Sequence, residues 1–96
     1  MADQTQTAER HEVFYAGRVQ GVGFRYTTVS IARRFAVTGF VENMPDGRVH
    51  LVAEGAPAEL DRFLTAVEAE LGRYISDRQL KISPGRDEFG TFGIRH

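Results

Sequence analysis

Gly17-Arg18-Val19-Gln20-Gly21-Val22-Gly23-Phe24-Arg25 places three glycines and a fixed cation where a β-rich run gives way to a helical one. Glycine adopts positive φ and lets the backbone approach a ligand closely. Gly21 and Gly23 can therefore curl the loop until successive N–H groups converge into an anion-binding concavity. A helix starting near Phe24 adds its free N-terminal N–H groups and positive dipole end, and Arg25 adds a planar guanidinium that keeps its proton. The stretch predicts a phosphate cradle, with backbone donors from Gln20, Gly21, Val22, Gly23 and Phe24. Two better-known phosphate loops do not fit. The nucleoside-triphosphate loop requires Lys-Ser or Lys-Thr, and the only lysine is Lys81, followed by Ile82. The glycine order is not that of the dinucleotide fingerprint, and 96 residues are too few for such a domain.

The flanks of this loop set the fold. Val13 to Val19 alternates as a first strand, and Phe24, Thr28, Ile31, Ala32 and Phe35 recur at helical spacing. Val37 to Asn43 and Arg48 to Glu54 are β-rich runs joined by Met44-Pro45-Asp46-Gly47, which predicts a hairpin. Pro57 suits the first turn of a second helix with the stripe Leu60, Phe63, Leu64, Val67 and Leu71, and Gly72 suits its end. Leu80 and Ile82 mark a fourth strand broken at Ser83-Pro84-Gly85, and Thr91 to Arg95 reads as a last short strand. The order βαββαβ plus a short extra strand predicts an α+β, ferredoxin-like split βαβ sandwich, an antiparallel sheet with two helices on one face. Phe14, Tyr15, Phe24, Phe35, Phe40 and Phe63 mostly fill its core.

Length and charge narrow the function. Ninety-six residues make one domain and one site. A net charge of -1, with basic and acidic residues intermixed, gives no electrostatic footprint for nucleic acid or an anionic membrane. The absence of cysteine excludes disulfides and a thiol nucleophile and fits the cytoplasm. Residues 1–10 are polar and lack the apolar segment of a signal peptide, so they are read as a disordered arm ahead of a domain over 11–96. His11, His50 and His96 share no metal-binding spacing, and neither metal nor other cofactor is expected. A monomer acting on a small molecule is the expected form.

Within the candidate site, Arg25 is the first choice for catalysis. A surface arginine on a first helical turn opposes the helix dipole, and that arrangement costs stability unless an anion lies between them. Asn43 has two readings: its amide can orient a water while donating to a phosphoryl oxygen, or it can simply lead into the turn. Glu42 and Asp46 are weak candidates for a general base. Alternation sends Glu42 to the sheet face opposite Asn43, Asp46 belongs to the turn, and both are expected to be solvated. Arg18 is read as an exposed strand residue.

The nonapeptide Gly17 to Arg25 resembles the acylphosphatase signature. Gly39-Phe40-Val41-Glu42-Asn43, Asp46-Gly47-Arg48-Val49 and Glu54-Gly55 are similar to that family's second block, and Phe92-Gly93-Ile94-Arg95 to its closing strand. The resemblance implies the same fold and hydrolysis of acyl phosphates to carboxylate and inorganic phosphate. It puts phosphate binding on Arg25 and the orientation of the attacking water on Asn43, without metal or covalent intermediate. Phe40 stands where the family usually has tryptophan, and Leu71 to Ile75 departs from its usual helix exit. The alternatives are a non-enzymatic phosphate- or carboxylate-binding acylphosphatase-like module, as in larger carbamoyl-transfer proteins, and an RNA-binding domain of ferredoxin-like fold. The second has only Gly39-Phe40-Val41 in its favour and lacks the basic start and paired aromatics of that class.

Overall fold

The computed structural model describes residues 7–96; of the arm expected over residues 1–10, residues 1–6 lie outside them. In chain order it contains β1 (Glu9–Gly17), α1 (Phe24–Ala32), β2 (Val37–Asn43), β3 (Val49–Gly55), α2 (Pro57–Leu71), a single 3₁₀ turn (Gly72–Tyr74), β4 (Ile75–Pro84) and β5 (Phe92–Arg95). The sheet order is β4-β1-β3-β2-β5. The four longer strands are antiparallel, as expected, and β5 runs parallel to β2, so the five-stranded sheet is mixed. Chain direction explains the parallel pair. β4 and β2 run in opposite directions at the two sides of the sheet, so a chain that reverses once while crossing arrives parallel to β2.

Period-two alternation divides the sheet into two faces. Val13, Tyr15, Val41, Val49 and Leu51 join the α1 residues Phe24 and Ile31 and the α2 residues Leu60, Phe63, Leu64 and Val67 in one buried cluster. Tyr15 also donates its hydroxyl to Glu68 of α2 at 2.8 Å, and Arg78 of β4 holds the same carboxylate at 2.7 Å. Burial first, and the Glu68 carboxylate second, push the Tyr15 phenol upward.

Phe14 and Phe40, expected in the core, lie on the other face. Phe14 stacks on His50 with centroids 4.5 Å apart, Arg48 covers Phe14, and Arg95 sits 3.6 Å from the Phe40 ring centroid. The chain between β4 and β5 crosses this face and is fastened there. The buried Glu54 carboxylate accepts the backbone N–H groups of Arg86 and Asp87 and pairs with Arg10 at 2.9 Å, while Phe89 packs against Phe40.

Both ends of β1 differ from expectation. Glu9 and Arg10, assigned to the arm, belong to β1, where Glu9 pairs with Gly55 and Pro84 and Arg10 with Glu54 and Ser83. Polar composition hid them because the Arg10 side chain engages the buried Glu54. At its other end β1 stops at Gly17 rather than Val19. Gly17 has φ +127°, and a side chain there would meet the Tyr74 carbonyl oxygen at 2.4 Å. The strand bulges at Ala16/Gly17 and turns out of the sheet, releasing the next residues as a loop.

Candidate active site

The loop leaving β1 reaches α1 through two glycines in the left-handed region, Gly21 at φ +78° and Gly23 at φ +79°. Nothing lies within 4 Å of where a Cβ would stand at either position, so one side of the loop is open. Gly23 is the N-cap of α1 and offers no side-chain oxygen, and the first turn holds no acidic residue. The first helical bond there is Thr27 N–H to the Gly23 carbonyl at 3.0 Å. The N–H groups ahead of Thr27 therefore point out of the helix without intrahelical acceptors, the condition that makes a helix start an anion site.

Arg25 sits in that first turn and is half-buried. Among the described residues no salt bridge or side-chain hydrogen bond engages it, whereas Arg10, Arg48, Arg62 and Arg78 each have a carboxylate partner. Asn43 ends β2 opposite Val49, on the same sheet face as Val37 and Val41 and hence on the side of the helices. Val19, Gly21, Gly23, Phe24, Arg25, Tyr26 and Asn43 line one pocket of about 220 Å³. The sequence-predicted residues Gly21, Gly23, Phe24, Arg25 and Asn43 thus meet at one concavity. Gln20 and Val22 do not line it. Val22 packs against the core, and the Gln20 side chain reaches the hairpin instead.

The hairpin that presents Asn43 is closed by its own backbone. Met44 N–H donates to the Arg48 carbonyl at 2.8 Å, and Gly47 N–H to the Met44 carbonyl at 3.1 Å, around Pro45 and Asp46. Asp46 accepts from the Arg48 backbone N–H at 3.0 Å and from its guanidinium at 2.9 Å. The backbone hydrogen bond leads, with the guanidinium's help, in holding the Asp46 carboxyl below its ordinary value. Asp46 is thus a turn residue, as expected. Glu42 lies on the opposite face from Asn43, also as expected, but it is not simply solvated: it bonds His50 Nδ1 at 2.8 Å, while Glu12 bonds His50 Nε2 at 2.7 Å. Neither carboxylate lines the pocket.

Two lining residues were missed by sequence reasoning. Val19 is a buried wall, and Tyr26 stands exposed at the rim beside Arg25. The available signal for Tyr26 was a large aromatic outside the apolar stripe of α1, one position after the cation. Among the described residues no group of three or more histidine, aspartate or glutamate side chains is placed to hold a metal ion, and no helix is long and apolar enough to cross a membrane.

The model of the acylphosphatase family matches residues 11–94. An acylphosphatase of Lactobacillus johnsonii is 40% identical over 80 residues, covering 81% of this chain and 88% of that relative. One of Archaeoglobus fulgidus is 50% identical over 58 residues, covering 60% of this chain and 65% of the relative. Among solved structures, the acylphosphatase of Bacillus subtilis superposes with a TM-score of 0.82 at 31% identity, over 92% of this chain and 99% of that one. The ferredoxin-like sandwich, the glycine-turned loop into α1 and the match over nearly the whole domain agree, and the chain belongs to the acylphosphatase family, enzymes that hydrolyse acyl phosphates.

Proposed function

We propose that this chain hydrolyses acyl phosphates by direct attack of water on phosphorus, with Arg25 and Asn43 as its working pair. The observation that carries the reading is the uncapped, acid-free start of α1, with Arg25 half-buried beside it and Asn43 across the same pocket. Backbone donors from Gln20 to Phe24 and the Arg25 fork hold the phosphoryl oxygens, and the Asn43 amide holds the water. The water oxygen bonds to phosphorus as the bond from phosphorus to the acyl oxygen breaks. The carboxylate leaves with that electron pair, and both water protons end on orthophosphate. A carboxylate is a stable leaving group, so charge neutralisation and positioning replace a strong acid or base. The reaction needs no metal or other cofactor, and the chain works as a cytoplasmic monomer on a diffusible substrate.

The test is release of phosphate from benzoyl phosphate or acetyl phosphate by the purified chain, with and without EDTA. Equal turnover in both conditions is expected. Activity that vanishes with the chelator and returns with Mg²⁺ or Zn²⁺ would overturn the mechanism. Binding of phosphate without any turnover would assign the chain to the non-enzymatic module class.

A further inference from the structure

Gln20 lies in the loop that leads into α1, and its side chain reaches the hairpin rather than the pocket. Its amide nitrogen donates to the Met44 carbonyl at 2.8 Å and to the Arg48 carbonyl at 3.0 Å. Only the NH₂ end of a glutamine can meet two carbonyl oxygens, so the partners themselves fix its orientation. These two carbonyls also close the hairpin, through Gly47 N–H and Met44 N–H respectively. Met44 comes directly after Asn43, and Arg48 precedes Val49, the residue paired with Asn43. One exposed side chain therefore joins the loop before α1 to both sides of the hairpin turn, immediately beyond Asn43.

We infer that Gln20 is a positioning residue, fixing Asn43 relative to the phosphate cradle so that the water on Asn43 stands in line with the bond being broken. The inference rests on the assignment of that water to Asn43. An in-line displacement tolerates little misplacement between nucleophile and phosphorus. The two groups that must be in register come from different elements, α1 and β2, and Gln20 spans the gap between them.

Two variants test it. Gln20→Glu keeps the shape, removes both donors and faces the carbonyls with a carboxylate, while Gln20→Met keeps the length and removes all polarity. In each, kcat should fall on the order of 10- to 100-fold, while the competitive inhibition constant for inorganic phosphate stays within about twofold. The kcat of Gln20→Glu should recover as pH falls and its carboxyl regains a donor proton, and that of Gln20→Met should not. In an Asn43→Ala background neither change should lower kcat further, because a residue that acts through Asn43 has nothing left to position. Unchanged kcat in the single variants, an additive loss in the double variants, or a phosphate constant that worsens in step with kcat would each overturn the inference. Near-normal kcat in Asn43→Ala alone locates the failure in the water assignment, and the inference falls with it.

Discussion

Helix α2 starts from Ala56 in an extended conformation (φ -64°, ψ 141°), with Pro57 in its first turn and Glu59 close behind. Helix α1 starts from Gly23 in the left-handed region (φ 79°, ψ 19°), with no acid in its first turn and Arg25 in place of one. Glu59 accepts the Ala36 N–H at 2.8 Å and pairs with Arg62, so a carboxylate occupies the positive end of α2. At α1 no carboxylate stands in the first turn. The difference separates a helix start that the chain supplies with a carboxylate from one that, under the proposed mechanism, a phosphoryl group completes.

Arg25→Ala breaks the contrast most strongly. It should lower kcat/KM for benzoyl phosphate by about 10³-fold or more and remove competitive inhibition by phosphate. Without phosphate, its melting temperature should equal or exceed that of the parent, since a cation leaves the positive end of a helix. A clear drop in melting temperature would mean that Arg25 serves the fold. Asn43→Ala should lose roughly 10²-fold in kcat while still binding phosphate. If instead kcat stays near normal and the melting temperature falls, Asn43 is a turn-forming residue.

Phosphate sharpens the contrast without mutation. At about 100 times its Kd it should stabilise the parent chain by about 2.7 kcal/mol, read by urea titration, and leave Arg25→Ala unaffected. The complementary change lies at α2, where Ala56→Ser supplies the missing side-chain cap. That variant should gain about 1 kcal/mol of stability with kcat unchanged. A changed kcat would show that the two helix starts are coupled.

The smallest effect is in pH. The Ala36 N–H, and then the Arg62 guanidinium, hold the folded Glu59 carboxyl below its ordinary value. A depressed carboxyl contributes stability that is fully present above its unfolded pKa and is lost as pH falls through the folded one. The urea midpoint should therefore decline as pH drops below the ordinary glutamate range, and the decline should be shallower in Glu59→Gln. Glu54 adds to it in the same direction. Burial alone would raise its carboxyl, but the Arg86 N–H, Arg10 and the Asp87 N–H outweigh burial and lower it.

The buried elements were the most legible in sequence. The whole α2 stripe from Leu60 to Leu71 is buried, as is the α1 stripe through Ala32, because a helix against a sheet buries one face and its period shows directly. The hairpin was readable from Pro45-Asp46-Gly47, whose turn chemistry is local. β4 was harder, since its residues are mostly exposed and only Leu80 and Ile82 carry a pattern. Its register depends on pairing with a β1 that bulges at Ala16/Gly17, which no local signal reveals. At the site, the glycines stood out because they permit positive φ, and Arg25 because a cation opposes the dipole at a helix start. The Gln20 bridge and the His50 contacts with Glu12 and Glu42 did not, because they join residues distant in sequence through polar side chains that elsewhere face water.

Strand β1 is an inner strand of the sheet, and its two neighbours come from well-separated stretches of the chain: Tyr15 pairs with Val49 on one side and with Arg78 on the other. During synthesis the β1-β3-β2 platform, the loop into α1 and Asn43 all emerge before any of β4. The parts of the site can gather while one whole side of β1 still displays unpaired N–H and C=O groups. Late pairing over a long sequence separation slows folding and leaves an edge able to recruit another chain in the interval. Between the emergence of Asn43 and that of Pro84, therefore, the side of β1 that β4 later covers has no partner strand in this sheet.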